Sequence, residues 1–141
     1  MTSKNPGIES LRHIALFSAC SDRELALIVG ATTPLRFEAG AVLAQEGKQG
    51  HEFMVIVEGK ARVESGGTTL ATLGQGDFFG ELALLDGGPR TATVVAETDV
   101  LVEVIGQREF DGVVEGAPHL AKKLLIGLAR RLRAADLQLT S

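Results

Sequence analysis

The sequence predicts a mainly β domain with helices at both ends. Three observations carry this expectation. From Leu35 to Ile105, short apolar runs are separated by glycines; within those runs apolar residues recur at every second position; outside that span the apolar spacing lengthens to three and four residues. A strand–helix–strand rhythm is missing, so a sandwich or barrel is expected rather than a doubly wound sheet. With 141 residues, 45% of them apolar, the chain can build one core, and residues 1–141 are read as a single domain.

Residues 8–34 are expected to form N-terminal helices. Leu11, Ile14, Ala15 and Phe17 begin an apolar face. Ser21 to Leu25 fits a capping box, in which Ser21 caps the helix and Glu24 reaches back to its amide. Leu25, Ile28 and Val29 then share one face, and Pro34 should end the region, because a proline disfavours helix in the residue before it. The opening decapeptide MTSKNPGIES lacks the charged start and apolar stretch of a signal peptide and reads as a frayed tail. The single cysteine, Cys20, has no partner for an internal disulfide. Together these favour a reducing cytoplasm, with Cys20 a small packing residue.

Residues 35–106 are expected to hold the strands. The runs are PLRF, AVLA, HEFMVIVEG, KARVES, TLATL, TATVVAE and VLVEVI, broken at Gly40, Gly47, Gly50, Gly59, Gly66-Gly67, Gly74, Gly76 and Gly87-Gly88. Phe53, Val55 and Val57 alternate, as do Ala61 and Val63, and Val102 and Val104.

Residues 107–139 return to helix. A short helix should break near Gly116-Ala117-Pro118. The last helix carries Ala121, Leu125, Leu128, Leu132, Ala135 and Leu139 at alternating spacings of four and three, a short heptad-like stripe interrupted by Gly127. That stripe could close onto the chain's own strands or onto a second copy, so a monomer or a homodimer is expected.

Several function classes are disfavoured. A net charge of −4 argues against a general nucleic-acid binder, although Lys122, Lys123, Arg130, Arg131 and Arg133 make the last helix basic, most simply as a solvated face. No run of about 18 apolar residues exists to span a membrane. His13, His51 and His119 fall on three separate elements, so no metal site is expected, and His51 reads as a surface or turn residue. No serine sits in a nucleophile elbow, and the glycine-rich GQGDFFG is by itself weak evidence for phosphate binding.

The stretch FGELALLDGGPRTATV, Phe79 to Val94, is different. Gly80 would let the backbone approach a ligand, and a short helical turn after it would leave amides such as those of Leu82 and Ala83 free to face an anion. Arg90, read as the start of a strand, carries a planar fork of donors suited to a phosphate. Glu81 can only accept, which suits a hydroxyl. A sugar phosphate offers both groups side by side. The bland alternative is that Glu81 and Arg90 pair with each other, a costly arrangement to desolvate.

This stretch closely resembles the phosphate-binding cassette of cyclic-nucleotide-binding domains, and each position from Phe79 to Val94 fits that pattern. FEAGAVLAQEGKQGHEFMVIVEGKARV is similar to the family's first strands and LRHIALFSACSDREL to its N-terminal helices, so the resemblance spans residues 11 to about 137. It implies a jelly-roll-type β-roll with N-terminal helices, a cassette at residues 79–94 with a short helix, and a C-terminal lid helix. The implied ligand is cyclic AMP (cAMP), with cyclic GMP (cGMP) also accepted. The implied ligand-binding residues are Phe79, Gly80, Glu81, Leu82, Ala83, Arg90, Thr91 and Ala92. Arg90 would pair with the cyclic phosphate and Glu81 would accept from the ribose 2′-hydroxyl. Gly80 and the amides of Leu82, Ala83 and Thr91 would line the phosphate. The Thr91 hydroxyl could also bond the guanine amino group, or serve only the phosphate or the strand start. Leu132, Arg133, Ala135 and Asp136 are the candidates to cover the base.

What the resemblance implies is a switch and not a catalyst: the ligand favours a closed state and the C-terminal helix responds. No catalytic residue, cofactor or metal is expected. Relatives often carry a DNA-binding unit after the long helix; with the chain stopping at Ser141, no DNA binding by this chain is expected, and an effector protein or domain outside it is. The alternative is a structural interaction domain that keeps the fold with little nucleotide affinity.

Overall fold

The computed structural model describes residues 11–12, 14–80 and 88–140, with side chains through residue 134. A 3₁₀ turn at Ala15–Phe17 leads into helix α1 (Asp22–Ala31). Among the described residues eight strands follow: β1 (Thr32–Phe37), β2 (Val42–Ala44), β3 (Glu52–Glu58), β4 (Ala61–Ser65), β5 (Thr68–Leu73), β6 (Phe78–Phe79), β7 (Thr93–Ala96) and β8 (Val100–Gly106). Helices α2 (Gln107–Gly116) and α3 (Pro118–Thr140) complete the chain. The strands form two antiparallel four-stranded sheets, ordered β1-β8-β3-β6 and β2-β7-β4-β5. The expected mainly β roll with flanking helices is therefore the observed architecture.

The capping box forms as the sequence requires. Ser21 Oγ accepts from the Glu24 amide at 3.1 Å, and Glu24 Oε1 accepts from the Ser21 amide at 2.9 Å. Leu25 and Ile28 are buried from the same helix, and Cys20 packs half-buried beside them. Burial, and then the charge of Glu24, raise the Cys20 thiol to about 11, which suits a packing residue.

One boundary differs. The helical region ends at Ala31, and β1 starts at Thr32, so Pro34 lies inside a strand, opposite Glu103. Thr32 and Thr33 are β-branched, and β1 is an edge strand paired only with β8, where a proline's missing N–H can face the unpaired side. The two-residue strand β6 lies within the glycine-rich string GQGDFFG.

Strand β3 is buried on both faces along Phe53 to Val57. Phe53, Val55 and Val57 face a core built with Leu11, Ile14, Phe17, Leu25, Ile28, Phe110, Val113, Leu120 and Leu124. Met54 and Ile56 face a second core between the sheets, with Leu43, Phe79, Val94, Val100, Val102 and Val104. The period-two alternation thus sorts residues between two cores rather than between core and water. Glu103, in the middle of β8, is buried too, and its Oε1 has no hydrogen-bond partner among the described residues.

The break between the last helices falls at Ala117, which is fully buried with φ −130° and ψ 73°. Following Ala117, the inward stripe along α3 is Leu120, Leu124, Gly127 and Arg131, not the leucine stripe expected from the sequence. Leu120 and Leu124 are buried, a Cβ on Gly127 would stand 3.1 Å from the Phe78 ring, and Arg131 lies over that ring. Leu125 and Leu132 are 67% and 63% exposed, while Ala121 and Leu128 are half-buried. The leucine stripe therefore does not close onto the β-roll at those positions. No helix among the described residues is long and apolar enough to cross a membrane.

Candidate functional site

Arg90 is the centre of the site. It lies in the loop before β7, which begins at Thr93, three residues later than the sequence reading placed that strand's start. Its backbone is pinned to the loop after β2: the Arg90 amide donates to the Lys48 carbonyl at 2.9 Å, and the Gly47 amide donates to the Arg90 carbonyl at 2.9 Å. The side chain is 7% exposed. Its Nη2 donates to the Glu52 carbonyl at 2.9 Å, and the half-exposed Glu52 carboxylate stands 3.6 Å from the same nitrogen.

Two glycines make this seat possible. A Cβ on Gly50 would overlap Arg90 Nε and Cζ. Gly80 has φ +97°, a conformation natural to glycine, and a Cβ there would press on the Glu52 carbonyl and lie 2.6 Å from Arg90 Nη1. Arg90 Nη1 is buried without a hydrogen-bond partner among the described residues. A buried donor without a partner costs about 1–3 kcal/mol, so an acceptor placed against Nη1 would be stabilised there.

Arg90 borders a cavity of about 310 Å³, a volume within the usual range for small-molecule sites. One wall is Phe78, Phe79, Gly80, Pro89, Arg90, Thr91 and Ala92; the other is apolar, from Ala44, Val63, Ala71, Leu73 and Val94. Phe79, Gly80, Arg90, Thr91 and Ala92, singled out from the sequence, are thus gathered around one space. Glu81, Leu82 and Ala83 lie outside the described residues, and with them the alternative of a Glu81–Arg90 pair.

The helical side of the cavity is Arg131 of α3. Its guanidinium carbon lies 4.6 Å from the centroid of the Phe78 ring, and its Nη2 donates to the Phe78 carbonyl at 2.9 Å. Phe78 packs in turn on Phe53, with ring centroids 5.6 Å apart. Leu132 and Arg133, two of the residues expected to cover the base, are exposed and do not line the cavity; the side chains of Ala135 and Asp136 lie outside the described residues. Arg131, Phe78 and Gly50 were not singled out as site residues. The signal for Arg131 was its place in the series Leu120, Leu124, Gly127 and Arg131, at successive spacings of four, three and four. No sequence signal marks Gly50, whose neighbour is forty positions away.

Glu24 and His119 form a polar contact away from the cavity. Glu24 is 5% exposed, and His119 Nδ1 stands 2.8 Å from its Oε1. The Ser21 amide, and then the His119 amide and ring, hold the Glu24 carboxyl at about 2. His51 is exposed and stands 3.2 Å from Gln107 Oε1. Among the described residues no group of three or more histidines, cysteines or carboxylates is placed to hold a metal ion.

A family model described as the cyclic nucleotide-binding domain matches residues 34–116, more than half of the chain. A cAMP-dependent protein kinase regulatory subunit from Hypocrea atroviridis is 37% identical over 109 residues, 75% of this chain and 24% of that protein. A cGMP-dependent protein kinase from Toxoplasma gondii is 32% identical over 127 residues, 89% of this chain and 12% of that protein. The crystal structure of the Thermus thermophilus catabolite activator protein superimposes with a TM-score of 0.81 at 33% identity, over 89% of this chain and 61% of that one. The chain thus spans only part of the length of each of these relatives.

Proposed function

The chain belongs to the cyclic nucleotide-binding domain family, and on that footing we propose that it is a non-catalytic sensor for a cyclic nucleotide. The observation that carries this reading is the buried Arg90 guanidinium, whose Nη1 lacks a partner among the described residues, beside Gly80 at the edge of a cavity of about 310 Å³. A cyclic phosphate is planar-fork compatible and supplies the missing acceptor. Glu81 accepts from the ribose 2′-hydroxyl, and the amides of Leu82, Ala83 and Thr91 complete the anion seat. Phe79 and Ala92 pack beside it.

The base then occupies the apolar side of the cavity, with Arg131 rather than Leu132 or Arg133 as the nearest cover from α3. Apolar walls favour neither purine strongly, so cyclic AMP is the proposed ligand with cyclic GMP also bound. No bond of the ligand is broken. Binding biases the position of α3, and the effector that reads it is a protein or domain beyond this chain. The functional unit is a monomer or homodimer in the cytoplasm, without DNA contact of its own.

Calorimetric titration tests this. Cyclic AMP should bind the wild-type protein saturably. Arg90→Ala should weaken it by roughly 30-fold or more, since truncating one partner of a buried charge pair costs about 2–5 kcal/mol. Absence of binding by either nucleotide to the folded wild-type protein refutes the reading, and an unchanged affinity in Arg90→Ala refutes the role of that side chain.

A further inference from the structure

The start of α3 lacks a cap of its own. Ala117, at the position before the helix, has no side-chain acceptor, and Pro118 has no N–H, so the first free amide is that of His119. Glu24 Oε2, from α1, accepts from that amide at 3.2 Å, while its Oε1 accepts from Ser21 and lies 2.8 Å from His119 Nδ1. One buried carboxylate therefore caps two helices, and it places a negative charge at the positive end of α3.

We propose that Glu24 is a positioning residue for the ligand cavity, acting through Arg131. The inference rests on the nucleotide-sensor reading above. Arg131 is twelve residues beyond His119, about 18 Å along a continuous helix at 1.5 Å per residue. Ala117, just before α3, has non-helical dihedrals, so the helix is not held in line by α2. Two polar anchorages among the described residues, the Glu24–His119 contact at the start and the Arg131–Phe78 contact at the cavity, help to fix its direction. Between these, Leu120, Leu124 and Gly127 rest on the first core and on Phe78. Releasing the first anchorage lets the helix shift at its start, and a small angular change there is largest at Arg131.

Glu24→Gln is the probe, because an amide cannot accept at both oxygen positions. Spin labels at Leu132→Cys and Thr72→Cys, in a Cys20→Ser background, report the distance from α3 to β5 without ligand. Glu24→Gln should displace or broaden that distance distribution. Cyclic AMP affinity should fall between about threefold and about thirtyfold, the range for loss of a helix cap, and this loss should vanish when Arg131→Ala is already present. An unchanged distance distribution, or an equal loss of affinity with and without Arg131, overturns the proposal. If the wild-type protein binds no cyclic nucleotide the sensor reading fails, and the distance measurement still decides whether Glu24 sets the position of α3. Should Glu24→Gln be too unstable to assay, His119→Ala removes the exposed ring alone, and a smaller change of the same kind is expected.

Discussion

Arg90 illustrates how much a single side chain depends on residues that have none. Gly50 has no left-handed φ, so what it supplies is room alone: its Cβ would occupy the space of the Arg90 guanidinium. Gly50→Ala should leave the fold intact and push that group off its seat, weakening cyclic AMP by about fivefold or more, as forced overpacking costs roughly 1–3 kcal/mol. Titration with circular dichroism on the same sample separates this from unfolding, and undiminished affinity would show that the seat is not needed. Glu103 is the other buried charge of note. Burial raises its carboxyl above the ordinary 4.5, against a lowering hydrogen bond from Thr32. A raised carboxyl favours the protonated fold, so its contribution is fully present below about 4.5 and lost as pH rises through the higher folded value. Glu103→Gln, neutral throughout, should therefore raise the melting temperature at neutral pH, with the gain fading toward pH 4. A melting curve that falls at every pH would mean that the carboxylate has a partner it needs.

The helices show the opposite titration. Glu24 is held at about 2, below the ordinary 4.5, first by the Ser21 amide and then by His119. A lowered carboxyl stabilises the fold above about 4.5, and that contribution disappears as pH falls toward about 2. Melting temperatures of the wild type and Glu24→Gln should differ at pH 6 and converge near pH 2; parallel curves would deny the linkage. The elements were unevenly legible. The capping box was plain in Ser21 and Glu24, because both partners lie within one turn. The second use of Glu24, on His119, joins residues ninety-five positions apart and leaves no local trace. The stripe of α3 was misplaced by about one residue for a definite reason. Leucines at 125, 128 and 132 outweigh Gly127 and Arg131 in any apolar count, whereas the inward face is chosen by the ring of Phe78, which needs a glycine to approach and a guanidinium to stack on it. Pro34 was read as a helix stop, yet a proline on an edge strand breaks nothing.

At the scale of the molecule, the strand pattern and the cassette made the β-roll readable, since both are local in sequence. The division of β3 between two cores was missed although its signal was present: Phe53 to Val57 is a contiguous apolar run, the pattern of a strand covered on both faces, and only Phe53, Val55 and Val57 were read, as one alternating face. That division has a consequence for isotope exchange. Each amide of β3 and β8 lies in a ladder between neighbours or beneath packed side chains, so deuterium reaches it only when the hydrogen bonds of this central wall themselves open. β5, an edge strand exposed from Thr68 to Thr72, needs only a local opening. Exchange read by mass spectrometry should therefore be slowest for peptides covering Phe53–Val57 and Val100–Ile105 and fast for Thr68–Leu73, and comparable rates in the two sets would contradict a shared central wall. The same wall means that helix side and ligand side cannot lose order independently: what loosens one exposes the back of the other to solvent deuterium.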